Sequence, residues 1–181
     1  MRQENDLLRK RVLKRIGEEF DKVGVTHRFL DRGEESDVDL LLCRHEALGL
    51  GGEAGDGQYF FLEYTAGAED VQYFCAMITG DFPVDPDYIP LVHKGLTELN
   101  FFLPVGAFST DETGDAIHYK LVLPLPEELS EEALFRQVNI GVGHALSLCR
   151  QWLNILSYLA RGEIGVDELL SSFLENMEES E

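Results

Sequence analysis

Residues 105–123 read Val-Gly-Ala-Phe-Ser-Thr-Asp-Glu-Thr-Gly-Asp-Ala-Ile-His-Tyr-Lys-Leu-Val-Leu. The middle of this stretch, Asp111 to Asp115, is rich in the Asp and Gly residues that tight turns favour, and apolar runs flank it on both sides. From Ile117 to Leu121 apolar and polar residues alternate, which is typical of a strand with one buried face. The stretch therefore predicts a β-hairpin in which Val105 to Thr110 pairs with Ala116 to Leu123.

Two strands and a helix are predicted before this hairpin. Aromatic and β-branched residues favour strands from Phe60 to Thr65 and from Val71 to Thr79. A helix is predicted from Leu91 to Leu103, because Pro90 suits the first turn of a helix and Pro104 disfavours its continuation. These elements and the hairpin together indicate an antiparallel sheet interrupted by one helix.

Two helices are predicted after the hairpin. Ser130 is a capping residue followed by two glutamates, and an apolar stripe with helical spacing continues from there to Leu159. Gly162 ends this long helix, which we expect to anchor the core. A shorter helix, Asp167 to Met177, has a further apolar stripe that needs a partner, either in its own domain or across a two-fold axis.

The N-terminal third completes the predicted fold. Residues 5–23 form an amphipathic helix, and Thr26 to Arg44 has a strand-like pattern with a polar turn at Glu34 to Asp37. Counting Val38 to Cys43 as the first strand, we predict an α+β fold with a five-stranded antiparallel sheet packed against helices. The order is α-β-β-β-α-β-β-α plus the extra C-terminal helix.

Length and hydropathy bound the class of protein. The chain has 181 residues and a mass of 20.4 kDa, which fits one domain over residues 1–178 and a disordered acidic tail at 179–181. No run approaches the roughly 20 apolar residues of a membrane span, and the first residues lack the apolar segment of a signal peptide. We therefore expect a cytoplasmic protein.

The chain is strongly acidic, with a formal net charge of −19. This charge disfavours nucleic-acid binding and docking on an anionic membrane. The basic residues concentrate in residues 2–15. They are interpreted either as a solvated helix face with pairs four residues apart, such as Lys14 with Glu18, or as a basic arm that meets an acidic partner or another copy of the chain.

The glycine-rich stretch at residues 47–57 predicts a mobile loop. A phosphate-binding loop would need a preceding strand, a following helix and usually a Lys with Ser or Thr, and none of these is present. Glu53 and Asp56 would in addition repel a phosphate. We therefore expect no ligand site here.

Residues with the potential for chemistry are scattered. Cys43, Cys75 and Cys149 lie in apolar segments without a Cys-x-x-Cys spacing, so buried free thiols are predicted. Cys43 and His45 place two potential ligands on one strand face, but no third ligand has a matching spacing. Because no motif of a nucleophile, a metal site or a cofactor site is present, we expect no catalytic, metal-binding or cofactor-binding residue and no cofactor.

The segment from about residue 59 to residue 159 contains five stretches that together carry a family resemblance: Val71-Gln72-Tyr73-Phe74, Tyr88-Ile89-Pro90, Leu96-Thr97-Glu98-Leu99-Asn100, Leu103-Pro104-Val105-Gly106-Ala107-Phe108 and Ile117-His118-Tyr119-Lys120-Leu121-Val122-Leu123-Pro124. The long helix that follows completes the match. With these stretches the segment resembles the YbjN-like family of bacterial sensory transduction regulators. This resemblance implies the fold of type III secretion chaperones and an adaptor or chaperone-like role without a catalytic residue.

Three functional hypotheses follow. The first is a non-enzymatic regulatory or adaptor protein that binds another protein, and the second is a secretion-type chaperone that holds a client peptide. The third is a small-molecule-binding protein or enzyme with a pocket between sheet and helices, lined by Tyr59, Tyr73 and Tyr119. A homodimer is compatible with each.

Overall fold

A computed structural model describes residues 2–33, 35–62 and 70–178, with side chains over residues 4–33, 35–62 and 70–172. These residues form four α-helices and six β-strands. The helices are α1 (Arg2–Lys22), α2 (Ile89–Phe102), α3 (Glu131–Ala160) and α4 (Val166–Glu178), and a 3-10 turn, Pro86–Tyr88, precedes α2. The strands are β1 (Thr26–Leu30), β2 (Leu40–His45), β3 (Gly55–Leu62), β4 (Val71–Gly80), β5 (Ala107–Thr110) and β6 (Ile117–Pro126).

The strands form one antiparallel sheet in the order β1-β2-β3-β4-β6-β5. The predicted α+β class is confirmed, but the prediction of five strands is wrong, because Thr26–Leu30 forms an additional strand against β2. Four strands therefore lie between α1 and α2 instead of three. The short run Thr-His-Arg-Phe-Leu has little alternation of its own, and its pairing with β2 makes it a strand.

Two predicted boundaries also differ from the structure. β3 starts at Gly55, inside the stretch predicted as a glycine-rich loop, and the predicted residues 63–65 of this strand lie outside the described residues. β6 continues through Pro124 to Pro126, where a stop was predicted. Because β5 pairs with β6 only as far as Lys120, these prolines lie where β6 has no described neighbour on its outer side, and a missing N–H is tolerated there.

The core lies between one face of the sheet and the helices. Leu41, Tyr59, Phe74 and Tyr119 point from four neighbouring strands into this layer, and each is at most 1 % exposed. Trp152 and the rest of the predicted stripe of α3 pack against them as one cluster, so the predicted anchoring role of α3 is confirmed. Ser130 caps α3 by accepting a hydrogen bond from the Ala133 N–H at 3.3 Å.

The final helix packs on the helical side of the same chain. Val166 and Leu169 of α4 are buried, and α4 contacts α2 and α3. A Cβ at Gly95 of α2 would lie 2.6 Å from Leu159 of α3 and 3.2 Å from Leu169, which shows how closely the three helices approach. The first part of the predicted apolar stripe is therefore covered within its own chain. Its later members, residues 173–177, lie outside the described side chains.

None of the helices formed by the described residues is both long and apolar enough to cross a membrane.

Candidate functional site

The described helices cover only one face of the sheet. Along each central strand, buried residues alternate with half-buried residues that point away from the helices, as a period of two requires. We call this second side the open face. Eight apolar members near its centre are absent from the core cluster, and we call these eight the apolar band: Leu40, Leu42, Phe60, Leu62, Tyr73, Cys75, Met77 and Val122.

Cross-strand register arranges the apolar band in rows. Leu40 pairs with Phe60, Phe60 with Cys75, and Cys75 with Val122, so four apolar side chains lie side by side across four strands. Cys75 is fully buried, whereas Val122 is 36 % exposed. Each residue of one face occupies roughly 30 Å² of a sheet, so the band covers about 250 Å² in plan.

One end of the open face is polar. The last row of the apolar band contains Gln58 and Lys120 beside Leu42 and Met77, and the row beyond it contains Arg44, Asp56, Thr79, His118 and Ser109. Arg44 is held by hydrogen bonds to Asp81 and Asp56, which raise its pKa further. The open face thus has an apolar half and a polar half, which is the usual anatomy of a protein-binding surface.

The β5 edge of the sheet is blocked within the chain. The side chain of Asn100, near the end of α2, donates to the Phe108 carbonyl at 2.8 Å and accepts from the Phe108 N–H at 2.8 Å. The amide therefore takes the place that a further strand would take. Because free edges invite pairing with other chains, this contact removes β5 as a site of strand addition.

The Cys43–His45 pair predicted from sequence is real but buried. Cys43 Sγ lies 3.0 Å from His45 Nε2, and the Tyr59 hydroxyl is close to the same sulfur, since a Cβ at Gly57 would meet both. The ring of Phe20 from α1 packs on His45 and Tyr59, with both centroids at 5.6 Å. Within the described residues no third His, Cys, Asp or Glu joins the pair to form a metal site.

The environment keeps this pair neutral. Burial raises the pKa of the Cys43 thiol to about 11 and lowers the pKa of His45 below its usual value. A cysteine nucleophile acts as the thiolate, beside an imidazolium or another positive group. The geometry therefore gives a thiol and an uncharged imidazole that fill space in the core. All three cysteines are buried free thiols, as predicted.

The structure also contains a hydroxyl–imidazole pair that was not predicted. Ser109 Oγ lies 2.9 Å from His118 Nε2, because the two residues are cross-strand partners at the polar end of the open face. Burial alone would raise the pKa of nearby Asp111, but hydrogen bonds from Ala116, Thr113 and Asp115 lower it. Because Asp111 binds its own turn, it does not orient His118 as the acid of a catalytic triad does.

The tyrosine-lined pocket predicted from sequence does not form. Tyr59 and Tyr119 are fully buried in the helical layer, where the Tyr119 hydroxyl donates to the Val105 carbonyl at 2.8 Å, and Tyr73 lies on the opposite face. A cavity of about 100 Å³ does lie between α1 and the β1–β2 connection, beside Arg9, Asp39 and Phe61. Small-molecule sites are usually about 300–1,000 Å³, so this cavity suits water.

The glycine-rich stretch packs on α3. The Leu50 N–H donates to the Arg150 carbonyl at 3.3 Å, and the Gly51 N–H donates to the Glu53 carboxylate at 3.1 Å. A Cβ at Gly51 would lie 2.4 Å from Asn154 Oδ1, so glycine permits the close approach to the helix. The stretch is therefore a compact turn against the core, which differs from the free loop that its composition predicts.

The basic N-terminal segment finds its acidic partners in the same chain. Arg11 Nε lies 2.8 Å from Glu131 and Arg15 Nη2 lies 2.9 Å from Glu132, both in the first turn of α3. Arg15 also lies over the Phe135 ring at 3.9 Å. These contacts join α1 to α3, whereas the predicted pairs were local to α1. For these two arginines, the ion pairs within the chain therefore remove the reason to expect an external acidic partner.

No protein-family model matches the chain, and no curated protein matches it.

Proposed function

We propose that this chain is a non-enzymatic regulatory or adaptor protein of the YbjN-like kind, which works by binding a polypeptide through the open face. The observation that carries this proposal is the apolar band, eight apolar side chains that lie together on the sheet and belong to no described core. Burying apolar area stabilises an association by about 25 cal/mol per Å². A band of about 250 Å² facing an equal apolar area would contribute on the order of 10 kcal/mol before the entropy of association.

The position of this band favours binding over a structural role in the monomer. The half-buried members, such as Phe60 and Leu62, lie outside the core cluster that the described helices form with the other face of the sheet. Contiguous apolar patches that approach the largest patch of a typical soluble protein are often functional. The polar row with Arg44 and Asp56 at one end would supply the hydrogen-bonding rim.

The two side-chain pairs that resemble catalytic groups support a non-enzymatic role. The Cys43–His45 pair is buried and neutral, and the Ser109–His118 pair has no carboxylate directed at it. The resemblance to YbjN-like proteins supports the same role. We place the protein in the cytoplasm, in keeping with its three free thiols.

A secretion-type chaperone is the second candidate, and the same apolar band favours it. A chaperone would hold an extended or helical client segment on the open face, with apolar side chains seated between the rows. A neighbouring gene for a secreted effector would favour this candidate, and an isolated gene would favour the regulator.

Photo-cross-linking tests the proposed surface. A photoreactive amino acid at Val122, which is 36 % exposed in the apolar band, should cross-link to a polypeptide in living cells. The matched control is the same amino acid at Ile140 on α3, which is apolar and 59 % exposed but lies outside the band. Polypeptide adducts at Val122 that are no more abundant than at Ile140 would contradict the proposal.

A further inference from the structure

We infer that the polypeptide bound by the open face is a second copy of this chain, and that the two sheets pack face to face about a two-fold axis running between β3 and β4. This inference rests on the proposed function and names the partner of the same surface. It is carried by three observations on the open face: the symmetry of the sheet, the sizes of the facing side chains and the distribution of charge.

The strand order places three strands on each side of the line between β3 and β4. A two-fold axis along this line, in the plane between two packed sheets, sets β3 opposite the partner's β4 and β2 opposite the partner's β6. Rotation about an axis parallel to the strands leaves the position along the strands unchanged. Each row of one copy therefore faces the same row of the other, as an isologous interface requires.

In the central row of the apolar band the facing residues are complementary in size. Phe60 lies opposite the partner's Cys75, which is the smallest and most recessed member of the apolar band. Leu40 lies opposite the partner's Val122, since both occupy the row of Phe60. A large side chain opposite a small one allows two sheets to interdigitate at a spacing of about 10 Å.

The facing charges do not repel. Arg44 lies opposite the partner's His118, Asp56 opposite the partner's Thr79, and Lys120 opposite the partner's Leu42. The strands that form the open face carry Arg28, Arg44 and Lys120 against Asp56, in a chain with a net charge of −19. Pairing through this face keeps the acidic surfaces of the two copies apart.

The area is sufficient for a stable dimer. Six strands of the observed lengths cover about 700 Å² in plan, at about 4.8 Å between strands and 3.3 Å per residue. Stable interfaces bury about 600–1,000 Å² on each partner. The apolar band supplies the centre of this area, and the polar row supplies its rim.

Light scattering after size-exclusion chromatography gives the first measurement. We expect the full-length protein to have about twice the monomer mass of 20.4 kDa, and Phe60→Glu to raise the dimer dissociation constant at least 100-fold. Ile140→Glu, an equal change of charge on α3 outside the open face, should leave the dimer intact. Added salt should strengthen the dimer, because it screens the repulsion between two acidic chains.

Cross-linking defines the axis without a disruptive substitution. In a Cys75→Ala background, Leu40→Cys and Val122→Cys are made in separate proteins, mixed, and treated with a thiol cross-linker that reaches about 10 Å, the spacing of packed sheets. We expect a covalent dimer from the mixture and none from either protein alone, because like residues lie three strand spacings apart across the axis. The two buried cysteines left in this background, Cys43 and Cys149, serve as the no-reaction control.

The outcomes separate the two proposals. A monomer that binds a different polypeptide, with binding lost in Phe60→Glu, overturns the second copy and leaves the proposed function standing. A monomer that binds no polypeptide at Val122 overturns both. A dimer that Phe60→Glu does not weaken, or that fails to cross-link in the mixture, uses another surface and overturns this inference.

Discussion

Asn100→Ala should destabilise the protein by about 2 kcal/mol. The side chain makes two hydrogen bonds of 2.8 Å to the backbone of Phe108, whose residue is only 1 % exposed. Each bond contributes about 0.5–1.5 kcal/mol, and a buried backbone group left without a partner belongs at the upper end of that range. The higher helix propensity of alanine returns about 0.5 kcal/mol.

Urea unfolding followed by circular dichroism measures this change. For a chain of this length, 2 kcal/mol corresponds to a fall in melting temperature of roughly 4–8 °C. The matched control is Thr97→Ala, an exposed residue on the same helix whose hydroxyl bonds only to the His93 carbonyl, and it should change stability by less than about 0.5 kcal/mol. Asn100→Asp should destabilise at least as much as Asn100→Ala, because a carboxylate oxygen would then face the Phe108 carbonyl.

A loss of less than about 0.5 kcal/mol in Asn100→Ala, or a loss no larger than in Thr97→Ala, would show that the two hydrogen bonds to Phe108 do not stabilise the fold in this way. A second readout is light scattering on heating. Removing Asn100 exposes the backbone of the outer strand β5, so Asn100→Ala should aggregate more readily than Thr97→Ala at equal folded fraction.

Three further predictions concern the core and the helix contacts. Gly57→Ala should lower the free energy of unfolding in urea by about 1–3 kcal/mol, because the new Cβ would lie 2.5 Å from Cys43 Sγ. The control Gly143→Ala, whose Cβ would have no atom within 4 Å, should raise it by up to about 1 kcal/mol, and equal effects of the two changes would contradict this account. Burial lowers the pKa of His45 in the folded state, so its contribution to stability is present above the ordinary value of 6.5 and is lost as the pH falls below it. The melting temperature of the wild type should therefore fall more between pH 7.5 and 5.5 than that of His45→Gln, and an equal fall in both would show that His45 does not titrate in this way. Arg15→Ala should lower the free energy of unfolding by no more than about 1 kcal/mol, because the half-exposed ion pairs to Glu131 and Glu132 are weak. The loss should be smaller at 1 M salt, which screens these pairs. A loss that is independent of salt would indicate that only the contact with Phe135 stabilises the protein.

Local patterns in the sequence were sufficient for the helices and the second hairpin. The capping hydroxyl of Ser130 and the positive φ of +68° at Gly162 mark the ends of α3 because each acts on its nearest backbone neighbours. Asp111 to Asp115 form the turn between β5 and β6 for the same reason, since its hydrogen bonds run between residues at most five apart.

Contacts between distant residues could not be predicted in this way. Thr26–Leu30 becomes a strand because it pairs with β2, and Pro124 is tolerated in β6 because β5 is too short to reach it. The partners of Arg11 and Arg15 lie more than 110 residues away on α3. The Cys43–His45 pair was visible in the sequence, but its burial under Phe20, and hence its neutral state, depends on α1.

The candidate site shows the same division. The alternation from Ile117 to Leu121 already indicated that one face of the sheet would be buried. In the central strands β2 to β4, however, apolar residues occupy both faces, so a period of two does not distinguish the face toward the helices from the open one. The packing of α1, α2 and α3 on one side determines which face is buried under helices. It left Leu40, Phe60, Cys75 and Val122 in a single row, because cross-strand register depends on hydrogen bonds between strands that the sequence places far apart.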